Sequence, residues 1–102
     1  MNTNSEIPIV GTIGLKIKVD VEFDVSGAGT LELHYVKPDG TYGIFTGEYE
    51  LDGTKHTIFY TTLSADDIDQ EGRWVFQAYV EMGSSRFWGT EDKTDRFKNK
   101  LS

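Results

Sequence analysis

The chain has 102 residues, enough for one domain around one core but not for a deep enclosed site as well. Its formal charge of −7 removes the basic surface that nucleic acid or anionic lipid requires, and the absence of cysteine excludes disulfides, thiolate metal sites and cysteine nucleophiles together. Hydrophobic residues at 37% and aromatics at 13% describe a β-rich domain filled by a few large side chains, not a disordered chain.

The opening MNTNSEIPIV has neither the basic region nor the apolar run of a secretory signal, and residues 1–9 read as an arm ahead of the domain. Next, LKIKVDVEFDV (Leu15 to Val25) alternates apolar and charged residues without a break. Period two predicts a half-buried antiparallel strand with Val19, Val21 and Phe23 facing the core. SGAG (Ser26 to Gly29) ends it, and TLELHYV resumes the alternation with Leu31 and Leu33 inward.

KPDG (Lys37 to Gly40) predicts a tight turn, because proline presets φ, aspartate caps and glycine accepts positive φ. TYGIFTGEYEL continues extended, its glycines at 43 and 47 suggesting a bulge or an edge. Asp52-Gly53 predicts a hairpin turn into the strand KHTIFYTTL. SADDIDQEG reads as a crossing loop with one helical turn capped by Ser64. RWVFQAYVEM and RFWGT flank GSS as a last hairpin. The charged residues 92–102 form a C-terminal segment, partly ordered and fraying after Phe97.

Short strands with regular turn signals and no helical period predict an all-β fold, an immunoglobulin-like antiparallel β-sandwich of about seven strands over residues 10–91. In DQEGRWVF, Gly72 permits a tight approach to the strand, and Trp74 stands where such sandwiches carry a corner tyrosine. Trp74, Phe76, Ala78 and Val80 then share one parity and point inward.

No catalytic motif rises above background, and no enzymatic activity or cofactor is expected. Asp67 to Gly72 imitates the opening of a calcium loop, but the twelfth position holds Ala78 where a bidentate glutamate is needed. His34 and His56 are the only histidines, and their spacing makes no metal pair. Seventeen acids make chance carboxylate pairs inevitable, so proximity in sequence argues nothing for glycoside hydrolysis. The aromatics Tyr42, Phe45, Tyr49, Tyr79, Phe87 and Trp88 are the candidate interface residues. Phe87 and Trp88 have opposite parities, so one of them faces out. Such aromatics either form a protein interface or simply pack under loops or against the inner face, with a carbohydrate platform as the further alternative.

VGTIGLKIKVDVEF, LELHYVKPDGTYG, DIDQEGRWVFQAYVE and RFWGT together resemble a family of small immunoglobulin-like structural proteins of tailed bacteriophages. These are tail-, neck- or baseplate-associated, similar to the N-terminal module of baseplate upper proteins. The resemblance covers about Val10 to Thr90. After Gly89 the chain departs from it, being highly charged where relatives often carry an apolar-alternating last strand. The resemblance implies a virion component that assembles in the host cytoplasm and docks to other virion proteins through strand edges and loops, in several copies or as a homo-oligomer. Neither nucleic acid nor membrane is expected as a partner.

Overall fold

The alternating runs fold into two antiparallel sheets packed face to face, and the computed structural model describes residues 9–89 and 93–99. The first sheet has the order β1 (Lys16–Val21), β5 (Lys55–Thr61), β4 (Glu48–Asp52). In the second, β3 (Tyr42–Thr46), β2 (Thr30–Val36) and β6 (Gly72–Met82) lie side by side. The far side of β6 is taken by β7 (Ser85–Trp88) and β8 (Lys93–Phe97), in tandem along one line. Counting that line once gives the seven positions of an immunoglobulin-type sandwich.

The turn chemistry acts as the sequence implies. Lys37 N–H donates to Thr41 O (2.8 Å), the Asp39 carboxylate accepts from Thr41 N–H (2.8 Å), and Gly40 takes a φ of 90°. Gly53, at φ 65°, closes the β4–β5 hairpin, and Gly83, at φ 59°, closes β6–β7.

Ile17, Val19, Leu33, Ile58, Trp74, Phe76, Ala78, Val80 and Phe97 form the core. Val21 and Leu31 lie half-buried at its margin, and Gly72 makes the turn into β6 at φ 121°. Trp74 is fully buried against Tyr35 and Phe97, with ring centroids at 5.2 and 5.9 Å. Its indole N–H donates to Gln70 O (3.1 Å), the backward bond to the chain that a corner tyrosine would make.

Phe23 is not a core residue. β1 ends at Val21, the chain bends through Glu22 and Phe23, and the parity of the run no longer carries. Phe23 stays 44% exposed, its ring edge-on to Phe87 at 5.1 Å, and Val25 is the next side chain to turn fully inward. Local bonds then replace the ladder: the Asp24 carboxylate accepts from Ser26 N–H (2.8 Å), and Ala28 N–H donates to Val25 O (3.0 Å).

TYGIFTGEYEL is not one strand of one sheet. At Gly47 it passes from β3 in the second sheet to β4 in the first. Gly47 N–H still donates to Leu31 O (2.8 Å), while a Cβ there would meet Ile58 Cγ2 at 2.5 Å. Glycine is therefore what lets the chain cross between the sheets at this point.

The crossing loop holds no helix, but Ser64 does cap a single turn, Asp67 N–H donating to Ser64 O (3.1 Å) and Asp66 N–H to Ser64 Oγ (3.1 Å). Asp67 ties the loop further, its carboxylate accepting from the Tyr60 hydroxyl (2.7 Å), Leu63 N–H (2.8 Å) and Ser64 N–H (3.3 Å). Burial works against the charge on Asp67, but these donors outweigh it and hold its pKa below the usual value. Burial and the same bond push Tyr60 up to about 12. Ile68 is buried beneath the loop.

The charged C-terminal segment contributes β8, whose pairing with β6 sets Gly72 opposite Phe97. Fraying is expected just past Phe97, but Lys98 and Asn99 make ordered contacts, while residues 100–102 lie outside the described residues. Val10 N–H donates to Lys98 O (2.8 Å), and Asn99 Nδ2 donates to Glu71 (2.6 Å).

Candidate recognition face

The two outer faces of the sandwich differ in chemistry. On the first sheet, β1 presents Lys16, Lys18 and Asp20, and β4 presents Glu48, Glu50 and Asp52, with β5 between them. Lys16 pairs with Glu50, Lys18 with Asp52 (2.7 Å) and Lys55 with Asp20 (3.7 Å). Lys16 also lies over the Phe59 ring at 4.3 Å, and Thr57 is buried under this ladder. Each exposed pair is worth only about 0–1 kcal/mol, yet together they match three lysines with three acids and leave this face largely covered by its own charged side chains.

The second sheet turns a different surface outward. Strand register sets three rows across it: Tyr42, Val36 and Val75; Ile44, His34 and Gln77; Thr46, Glu32, Tyr79 and Trp88. Tyr42, Ile44, Val36 and Trp88 are all exposed, Trp88 by 49%. Between them runs a shallow groove of about 430 Å³ lined by His34, Val36, Tyr42, Val75, Gln77 and Trp88.

His34 organises this face. Its ring meets Trp88 at 4.7 Å and Tyr79 at 5.5 Å, both edge-on, and Tyr42 at 5.5 Å. Nε2 donates to Glu32 (2.9 Å), which leaves Nδ1 to accept from the Tyr42 hydroxyl. Imidazole, carboxylate and phenol thus fix one another, and Trp88 rests on the assembled group. The Tyr79 hydroxyl donates to Glu81 (2.6 Å), and that carboxylate raises the phenol's pKa, aided by burial. Gln77 Nε2 donates to Gly89 O (2.9 Å) and holds the chain just after β7 against β6.

The six candidate interface aromatics divide. Tyr42, Tyr79 and Trp88 gather on this face. Phe45 does not belong to an interface: it is 8% exposed and points into the core, stacked on Tyr60 with ring centroids 4.3 Å apart. Tyr49 lies half-buried in the other sheet, its hydroxyl 2.7 Å from His56 Nδ1. Phe87 is half-buried against Phe23, so Trp88 is the outward member of that pair.

The acids of the crossing loop diverge. Asp67 turns inward, Asp69 pairs with Lys37 (3.0 Å), Gln70 donates to Asp39 (2.9 Å), and Glu71 accepts from Asn99. No group of three metal-ligating side chains occurs among the described residues.

Sequence reasoning missed His34, Ile44, Val36 and Gln77. Each has the outward parity of its strand, but only the pairing of His34 with Ile44 and Gln77, of Val36 with Tyr42 and Val75, and of Tyr79 with Trp88 brings them together. An alignment of β3, β2 and β6 by hydrophobic parity would have placed them on one face. Comparison with family models, with curated proteins and with solved structures finds no match to this chain.

Proposed function

We propose that this chain is a non-enzymatic structural protein of a tailed-phage particle that docks to neighbouring neck, tail or baseplate proteins through strand edges and loops. The resemblance set out from the sequence supplies the setting. The observation that carries the docking role is the asymmetry of the sandwich, with one outer face covered by ion pairs and the other exposing Tyr42, Ile44, Val36 and Trp88. Such an apolar surface with a polar rim is what a protein interface needs. The test is quantitative mass spectrometry on gradient-purified particles of the phage that encodes the chain. A fixed copy number per particle, retained through a salt wash, is expected; absence from washed particles overturns the reading.

A second reading, of a carbohydrate-binding module for host-surface glycan, is favoured by the groove beside Trp88. A half-exposed indole flanked by Gln77, Glu32 and the Tyr42 hydroxyl offers a stacking platform with polar groups at its margin. Trp74 is fully buried, so a ligand-induced change in tryptophan emission reports on Trp88. Under this reading a soluble host glycan shifts the emission saturably, and Tyr79→Ala, which keeps the Trp88 reporter in place, abolishes the shift. No shift at millimolar glycan removes the reading.

A further inference from the structure

We propose that β3 is a self-pairing edge: two copies of this chain join antiparallel along Tyr42–Thr46 about a twofold axis at Ile44, making one continuous sheet across the dimer. The proposal rests on the docking reading above and names its edge and its first partner.

Hydrogen-bond parity is the first ground. Lys37 N–H donates to Thr41 O, and Gly47 N–H to Leu31 O. With the β2–β3 register between them, the residues bonded to β2 are therefore Gly43 and Phe45. Alternation in an antiparallel ladder then turns the backbone N–H and C=O of Tyr42, Ile44 and Thr46 away from the sheet. The same three residues place their side chains on the exposed outer face. One short strand thus offers both a backbone template and apolar side chains beside it.

The second ground is the absence of protection among the described residues. Natural edges are blunted by charge, proline or shortness. The edge strand β1 carries Lys16, Lys18 and Asp20, β4 carries Glu48, Glu50 and Asp52, and β7 is four residues long with Arg86. β3 reads Tyr-Gly-Ile-Phe-Thr, with no charge and no proline. Its Ile44 is 48% exposed.

The third ground selects a second copy as the occupant. The outward-turned residues are symmetric about Ile44. Antiparallel pairing through that point sets Ile44 against Ile44 of the second copy and Tyr42 against Thr46 of the second copy. Each is a hydrogen-bonded pair that exchanges both of its N–H···O bonds. The ring of Tyr42 then covers the methyl of the facing threonine, a favourable cross-strand pairing. An uncharged edge gives a foreign charged strand nothing to read, whereas it complements itself. Because each copy carries −7, long-range repulsion opposes the encounter, and salt should strengthen the dimer by screening it.

The experiment is sedimentation equilibrium on the full-length protein and on Ile44→Lys, at low and high salt, with melting curves for both. The expected wild-type result is a reversible dimer that tightens with salt. Ile44→Lys should raise the dimer dissociation constant by at least about tenfold, since it sets like charges face to face, while leaving the monomer's unfolding unchanged. Register is read from single cysteines in this cysteine-free chain. Ile44→Cys should oxidise to a covalent dimer, whereas Leu63→Cys, on the exposed crossing loop, should not. A wild-type monomer at all concentrations, a dimer indifferent to Ile44→Lys, or equal cross-linking at the two positions overturns the proposal. A monomer still found at fixed copy number on washed particles sinks self-pairing alone. Absence from particles sinks the docking reading whatever the sedimentation shows.

Discussion

Trp74→Ala is expected to destabilise the domain by about 3–5 kcal/mol, the range for truncating a large aromatic in a packed core. Three contributions converge on this residue. The indole is wholly removed from water, it meets the rings of Tyr35, Phe76 and Phe97, and its N–H bond fixes Gln70 O at the mouth of β6. Lys37 lies over the same ring at 5.5 Å, so the KPDG turn also leans on it. In a domain of this size each kcal/mol moves Tm by roughly 4–8 °C, so the melting curve should shift by more than about 10 °C. Trp88→Ala provides the contrast. It removes an equally large but half-exposed ring and should cost less than about 1 kcal/mol. Equal effects from the two substitutions would sink the assignment of inner and outer faces.

Phe97→Ala should be comparably severe, at about 3–5 kcal/mol. Phe97 is 1% exposed and comes from the most charged stretch of the chain, yet its ring closes the pocket around Trp74. Denaturant titration followed by tryptophan emission is the measurement. The emission of native Phe97→Ala should also move to the red, because water reaches Trp74 once that ring is gone. A variant as stable as the parent would mean that β8 is an appendage to the sandwich and not part of its core.

These two residues also mark how much of the fold the sequence discloses. Trp74 could be read in advance, because the glycine two residues before it and the strict inward parity of Phe76, Ala78 and Val80 leave it one orientation. The place of β8 could not. In DKTDRFKNK the one large apolar residue has no alternating neighbours, so the periodic signal is missing and only pairing with β6 reveals the strand. Phe23 failed for the opposite reason. Its periodic signal is intact, but β1 ends at Val21 and the chain bends at Glu22 and Phe23, ahead of the local Asp24–Ser26 bond. Phe45 departs from its expected place although the glycines around it do mark an exposed edge. Alternation turns Phe45 inward and leaves Tyr42 and Ile44 outside. At the recognition face, outward parity was legible for Tyr79. The gathering of His34, Tyr42 and Trp88 around it depends on long-range register, which no local pattern encodes.

Gly47, where the chain steps between sheets, also bears on the order of events during folding. Two hairpins, β2–β3 and β4–β5, are joined through this one residue, and both close by local turns. The β6–β7 hairpin also closes locally, at Gly83, but other pairings must be searched for across the chain: β1 waits for β5, with Lys16 opposite Thr61, and β2 waits for β6, with Thr30 opposite Glu81. Topologies dominated by such distant pairings fold on a scale of ~milliseconds to seconds, slowly for their size. During that search the local turn lets the β2–β3 hairpin form transiently, and with it the uncharged edge from Tyr42 to Thr46. Crowded, rapid synthesis is therefore the condition under which this edge meets wrong partners before the core has formed.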